Sequence, residues 1–123
     1  MKFVVLDKTF NICKLSSPVI ISNPYNFLSL TADSVTLVCP EEDTPDNAIE
    51  IMQTWSCIEI VGVSSINESG IISSLSKILA SGNVPIYVVS TFGAVFVFID
   101  SNRIINAIQL LEANGHSIES LSY

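Results

Sequence analysis

One segment, residues 56–99, limits the folds open to this chain more than any other. It begins with an apolar run at 56–63, typical of a buried strand, and a short polar stretch at 64–70 follows. Two later β-branched and aromatic runs, divided by the turn-like residues 90–93, predict a pair of strands. Between the polar stretch and these two strands, the large apolar residues recur on one helical face, at Ile71, Ile72, Leu75, Ile78 and Leu79. The segment therefore predicts the order strand, helix, strand, strand.

The remainder of the C-terminal half completes a familiar arrangement. Asp100 or Ser101 is placed to cap a second amphipathic helix, which Asn114-Gly115 ends. Its buried face carries Ile104, Ile105, Ile108 and Leu111. The tail, residues 116–123, alternates enough for a final strand. The predicted order β-α-β-β-α-β is that of a ferredoxin-like α+β fold, with two helices on one face of a mostly antiparallel sheet.

The N-terminal half has the outline of the same plan in a degenerate form. Strands are predicted at 3–6 and 10–15, and a hairpin at 27–39 turns about Ala32-Asp33. Thr44 and Pro45 then predict the N-cap and first residue of a short helix. One face of that helix would carry Ala48, Ile49, Met52 and Trp55. We therefore expect two halves within one compact unit, residues 1–55 and 56–123.

Composition excludes several classes of function. The chain has 123 residues, of which 49% are apolar, and a net charge of −7 from 12 acidic and five basic side chains. Neither nucleic acid nor an anionic membrane is an expected partner, because the basic residues are few and scattered. The uncharged stretch 78–99 is broken by turn residues, so a membrane span is not expected. Three widely spaced cysteines form no paired framework, which favours a cytoplasmic protein.

Four short motifs, in order, carry a resemblance to a known family. They are Val38-Cys-Pro-Glu41 followed by Pro45, Trp55 ahead of the strand that ends at Gly62, Ser69-Gly-Ile-Ile-Ser-Ser-Leu75, and Val89-Ser-Thr-Phe92. From Phe3 to about His116 the chain resembles the short ACT-domain proteins related to CASTOR-type amino-acid sensors. The resemblance implies a regulatory module without catalytic activity. Such modules commonly pair as homodimers and hold amino acids at the interface.

The resemblance also implies where a ligand would bind. The loop and helix start after the first ACT strand would hold the ligand carboxylate, and Thr91 and Phe92 would line the other side. Backbone N–H groups at a helix N-terminus suit an anion, although Asn67 or Ser69 can equally be a simple N-cap. Thr91–Gly93 can equally be an ordinary hairpin turn. The residues expected to bind on the loop side are Ser65, Ile66, Asn67, Ser69, Gly70 and Ile71.

One departure from the family leaves two functions open. Where the family usually has Thr-Asp after Ser-Thr-Phe or Ser-Thr-Tyr, this chain has Ala94-Val95. The family's aspartate would anchor an ammonium or guanidinium group, and a valine cannot do so. The first hypothesis is a sensor for an amino acid or a related metabolite. The alternative is a module without a ligand that serves dimerisation or docking to a protein partner.

No pattern for catalysis, a cofactor or a metal is visible. His116 is the only histidine and follows a predicted helix end, where an imidazolium is favoured for structural reasons. The acidic run 41–46 lacks the alternating ligands and the glycine of a calcium loop. The phosphate-binding glycine motifs and the serine nucleophile elbow are also missing. We therefore expect no enzyme activity, no cofactor and no metal site.

Overall fold

The structure, a computed structural model, describes residues 2–62 and 68–120. Within these residues, eight strands and two helices form in the order β1 (Lys2–Val5), β2 (Phe10–Leu15), β3 (Phe27–Leu30), β4 (Val35–Pro40), β5 (Ala48–Val61), α1 (Glu68–Ser81), β6 (Tyr87–Ser90), β7 (Ala94–Asp100), α2 (Ile104–Ala113) and β8 (Ile118–Ser120). Short 3₁₀ turns, Glu41–Asp43 and Ser101–Arg103, follow β4 and precede α2. From β5 onward the order is β-α-β-β-α-β, which confirms the predicted ferredoxin-like α+β class.

Two compact units share the long strand β5. One comprises Met1–Asp7 and Ser56–Tyr123, and the other comprises Lys8–Trp55. In the first unit the strand order is β8-β1-β5-β7-β6, and in the second it is β3-β4-β2-β5. The chain passes from the second unit to the first within a single strand, between Trp55 and Ser56.

The core of the first unit lies between its sheet and both helices. Leu75 and Leu79 of α1 and Ala107 and Leu111 of α2 are almost fully buried there. The sheet contributes Phe3, Ile58, Ile60, Val95, Val97 and Ile99. The predicted stripe of α1 is correct, because Leu75 and Leu79 are buried and Ile71, Ile72 and Ile78 pack against the same core. The predicted stripe of α2 is correct at Ile104 and Leu111, whereas Ile105 is 71% exposed and the core contact near Ile108 is made by Ala107. The Asp100 side chain accepts from the backbone N–H of Asn102 and caps the 3₁₀ turn Ser101–Arg103 that leads into α2. The predicted cap on α2 itself is wrong, because its N-cap is Arg103, which makes no side-chain capping bond.

The first seven residues belong to the unit formed by the C-terminal half, whereas the sequence places them with residues 1–55. Strand β1 pairs antiparallel with β5, with Phe3 opposite Ile60, and parallel with β8, with Phe3 opposite Ile118. Phe3 is 4% exposed and packs in the core that faces the helices. The burial of this ring and two strand ladders hold β1 in place. That residues 1–55 form a degenerate ACT-like half stays a prediction.

The helix expected after Thr44-Pro45 is wrong, because residues 48–55 form the first part of strand β5. They pair antiparallel with β2, with Met52 opposite Ile12 and Ile51 opposite Cys13. A helix of about ten residues is marginal in isolation, whereas a strand here continues directly into residues 56–61. Thr44 instead accepts a hydrogen bond from Asn11, at 2.9 Å, and Pro45 begins a turn that closes at Ala48.

A bulge interrupts the β2–β5 ladder near its Phe10–Trp55 pair. Between the pairs Phe10–Trp55 and Ile12–Met52, the single residue Asn11 faces two residues on β5. Thr54, one of those two, has φ of 63°, a left-handed conformation that is costly for a β-branched side chain. Asn11 is only 8% exposed and accepts the Thr54 N–H at 3.3 Å. The buried amide thus fixes a strained residue.

We expect glycine at position 54 to relieve this strain. Thr54→Gly should raise the free energy of unfolding by up to ~1 kcal/mol, because glycine adopts positive φ without a steric penalty. Thr36→Gly, the same change in the regular strand β4, should lower it by ~1 kcal/mol. Urea denaturation of both variants measures the difference. Equal destabilisation by the two substitutions would contradict a strained Thr54.

Candidate functional site

The predicted ligand loop lies largely beyond the described part of the chain. Ser65, Ile66 and Asn67 fall outside the described residues, and Ser69 belongs to the first turn of α1. Gly70 and Ile71 follow in the same helix. The first four N–H groups of an α-helix have no partner within the helix, so this end favours an anionic group.

Gly70 and Ile71 line a pocket in the first unit. The pocket is formed by Phe3, Gly70, Ile71, Ser74, Leu75 and His116. Gly70 faces open space, since a Cβ built there would meet no atom within 4 Å. Ile71 and Leu75 provide apolar wall, whereas Ser74 and His116 bring a hydroxyl and an imidazole. The pocket can therefore hold a small molecule that combines an apolar part with polar groups.

The end of α2 positions His116 in this pocket. The His116 N–H donates to the Leu111 carbonyl at 3.0 Å, and the Gly115 N–H donates to Glu112 at 3.1 Å. These two bonds, with Gly115 at φ 88°, make a Schellman helix end, which needs a residue that adopts positive φ. The motif turns the chain so that the imidazole stacks on the Phe3 ring, with centroids 4.8 Å apart and planes 20° from parallel.

The sequence alone did not indicate Phe3, Ser74 or His116 as site residues. Phe3 joins the pocket through the pairing of β1 with β5 and β8, which no local pattern predicts. For His116 a signal existed, since it directly follows the Asn114-Gly115 helix end and directly precedes the final strand segment. A residue in that position lies where a helix and a strand of the same layered fold meet.

Thr91 and Phe92 form the turn of the β6–β7 hairpin. The Thr91 N–H donates to the Ala94 carbonyl at 2.9 Å, and the Thr91 hydroxyl accepts from the Ala94 N–H at 3.2 Å. The Phe92 side chain is fully exposed. Neither residue lines the pocket beside α1. That these two residues contact a ligand stays a prediction.

Val95, which stands where the family usually has aspartate, is a core residue. It is 1% exposed and packs with the apolar residues under the two helices. A carboxylate at this position would be buried among hydrocarbon, at a cost of several kcal/mol unless paired. The described residues of this unit thus offer no carboxylate at the position where the resemblance leads one to expect it.

The three cysteines are buried, free thiols. Burial, with a smaller effect of the neighbouring Cys13, raises the pKa of Cys39 to about 12. Burial is also the main reason why the pKa of Cys57 lies well above its ordinary value, and Glu59 adds to it. Because a thiolate is the reactive form, these side chains are poor nucleophiles. Their role is packing.

Among residues 2–62 and 68–120, no three histidine, cysteine or acidic side chains come together as a metal site. No helix within these ranges is long and apolar enough to cross a membrane.

Comparison with known proteins identifies the family. A family model described as "ACT domain" matches residues 50–113, which is just over half of the chain. The chain belongs to the ACT domain family. ACT domains are generally regulatory and bind small ligands. No curated protein sequence matches the chain significantly.

Solved structures show the same fold across almost the whole chain. Protein Atu0741 from Agobacterium tumefaciens superposes with a TM-score of 0.87 and 25% identity, covering 99% of this chain and 94% of that one. Protein VC0802 from Vibrio cholerae has a TM-score of 0.71 and 17% identity, with coverage of 89% and 86%. The regulatory subunit of aspartate kinase from Thermus flavus has a TM-score of 0.65 and 10% identity, with coverage of 94% and 98%.

The raised thiol pKa values predict a loss of stability in alkali. In the folded state the thiols keep protons that an unfolded chain loses above its ordinary pKa of 9.0, so their contribution is complete below that value. It is lost as pH rises towards 12, the folded pKa of Cys39. Urea denaturation should show a fall of up to ~1.4 kcal/mol per pH unit for each thiol. Cys39→Ala should make that fall shallower, and an unchanged slope would contradict the assignment.

Proposed function

We propose that this ACT-domain protein is a non-catalytic regulator that binds an amino acid or a related metabolite beside the start of α1. The pocket formed by Phe3, Gly70, Ile71, Ser74, Leu75 and His116 is the observation that carries the proposal. The ligand carboxylate would approach the N–H groups of the first turn of α1. The apolar part of the ligand would contact Ile71 and the ring of Phe3.

Serine and imidazole side chains suit the polar end of such a ligand. Ser74 supplies a hydroxyl that can donate or accept, and His116 presents a ring that is held by stacking on Phe3. A held ring loses little rotational freedom when a ligand binds, which favours affinity. Ser65, Ile66, Asn67 and Ser69 complete the loop side of this proposal. Thr91 and Phe92, which do not line the pocket within one copy of the chain, are proposed to contact the ligand from the opposite side.

The proposed mechanism is a shift between arrangements of a homodimer. A ligand held at the interface between two copies favours the arrangement that binds it more tightly, and a protein partner recognises that arrangement. Membership of the ACT domain family and the fold shared with the regulatory subunit of aspartate kinase support this role. Three reduced, buried thiols fit a reducing compartment, so the cytoplasm is the proposed location.

A second function is favoured by one observation. Val95 lies in the core where the family's anchoring carboxylate is expected. Without that anchor the fold would serve only pairing with a second copy or docking to another protein. A measurement of ligand binding distinguishes the two proposals directly, because only the sensor binds a ligand.

Thermal unfolding in the presence of each of the twenty amino acids tests the sensor. A ligand at a hundred times its dissociation constant adds about 2.7 kcal/mol to the free energy of unfolding. For a domain of this length the midpoint should rise by roughly 10 °C. A midpoint that no amino acid moves would favour the docking module instead.

Gly70→Asp tests the position of the site. The side chain has room, and a carboxylate in the first helical turn is compatible with the fold. It would repel the carboxylate of the ligand, so we expect the ligand-induced rise in midpoint to disappear while the ligand-free midpoint stays within a few degrees. Ser73→Asp is the matched control, because it adds the same charge to an exposed position of α1 outside the pocket. Equal loss of binding in both variants would argue against this site.

A further inference from the structure

The Lys8–Trp55 unit contains a second pocket, which the proposed function does not use. In the first unit helix α1 follows strand β5, whereas in this unit strand β2 is followed by an irregular segment, residues 16–26. Val19 of this segment packs on the core formed by Cys13, Leu15, Val35, Leu37 and Cys39. The pocket lies under the segment, and its lining includes Val19, Ile21, Asn23, Asn26, Asp43 and Pro45.

Two asparagine side chains orient the Asp43 carboxylate in this pocket. Asn23 Nδ2 donates to Asp43 Oδ1 at 3.0 Å, and Asn26 Nδ2 donates to Oδ2 at 3.1 Å. Asn26 Nδ2 is also placed against the backbone carbonyls of Asn23, at 3.3 Å, and Pro24, at 3.2 Å. Each carboxylate oxygen can accept more than one hydrogen bond. The Asp43 carboxylate therefore has a fixed orientation, and its oxygens can still accept a hydrogen bond from a further donor.

The charge of Asp43 has no cationic partner within the described residues, in which the one ion pair joins Lys2 and Glu119. The unit Lys8–Trp55 carries six acidic side chains and only two basic ones, Lys8 and Lys14. The Lys8 ammonium lies over the Tyr25 ring, 4.9 Å from its centroid, and Lys14 is exposed on β2. The electrostatic field at the pocket thus favours a cation.

We propose that this pocket binds a small organic ammonium compound, whose charged nitrogen donates to the Asp43 carboxylate. The hydrocarbon part would contact the apolar side chains of Val19, Ile21 and Pro45. A metal ion fits less well, because both asparagines face the carboxylate with NH₂ groups rather than with oxygens. The inference does not depend on the proposed function, since it concerns the other unit.

Butylammonium chloride is the probe for the test, with 1-butanol and sodium butyrate as neutral and anionic analogues. The readout is the side-chain NH₂ signals of Asn23 and Asn26 in two-dimensional ¹H–¹⁵N NMR spectra of the whole chain. Butylammonium should shift both signals along a saturable curve, and the affinity should fall as sodium chloride rises from 20 to 200 mM. Shifts of equal size with butanol or butyrate, or with calcium chloride at equal ionic strength, would overturn the proposal.

Asp43→Asn keeps the shape of the side chain and removes its charge, so butylammonium affinity should fall at least about tenfold. Asp46→Asn is the matched control, since it makes the same chemical change at a residue that lies beside the pocket but does not line it. The butylammonium affinity of this variant should stay within about twofold of that of the unaltered protein. An equal loss in both variants would overturn the assignment to Asp43. If Asp43→Asn does not fold, the comparison of butylammonium with its analogues and the salt dependence decide the question on the unaltered protein.

Discussion

Strand β5 is the element on which the rest of the structure depends. Its 14 residues supply an edge to the sheet of one unit and a central strand to the sheet of the other. The ladder with β2 and the ladder with β1 are both antiparallel, and the bulge opposite Asn11 lies within the β2 ladder, between the pairs Phe10–Trp55 and Ile12–Met52. Because a shift of one residue would turn every side chain to the other face of the sheet, the bulge must be held firmly. The buried amide of Asn11 provides that constraint by binding Thr54 and Thr44.

The same strand explains where prediction from the sequence succeeds and where it does not. Helices α1 and α2 and the strands around them follow from local periodicity, which can be recognised within a short window of the sequence. In residues 48–55 the apolar side chains fit both the helical period and the alternation of a strand. Ala48, Ile49, Met52 and Trp55 suit a helix, whereas Ile49 and Ile51 alternate as in a strand. The pairing with β2 decides between them, and that partner lies more than thirty residues away.

In the candidate site, too, some residues could be predicted from the sequence and others could not. Gly70 and Ile71 follow from the expected helix start, which is a local feature. Phe3 and His116 come from opposite ends of the chain and meet only because β1 lies between β5 and β8. A single sequence contains no sign of that insertion. The core position of Val95 was equally inaccessible, since a valine in a strand can face either side of a sheet.

The two pockets differ in the charge that they favour, and the difference follows from what covers each sheet. An α-helix brings its N–H groups to the rim of the first pocket, which favours an anionic group. In the other unit residues 16–26 form an irregular segment that brings asparagine amides, whose N–H groups donate to Asp43 and orient it. That pocket therefore presents the Asp43 carboxylate as an acceptor, in a unit whose net charge is negative. A helix and an irregular segment therefore give the face that each covers a different chemistry as well as a different shape. For this reason Gly70→Asp and Asp43→Asn, on different units, should have separable effects on ligand binding.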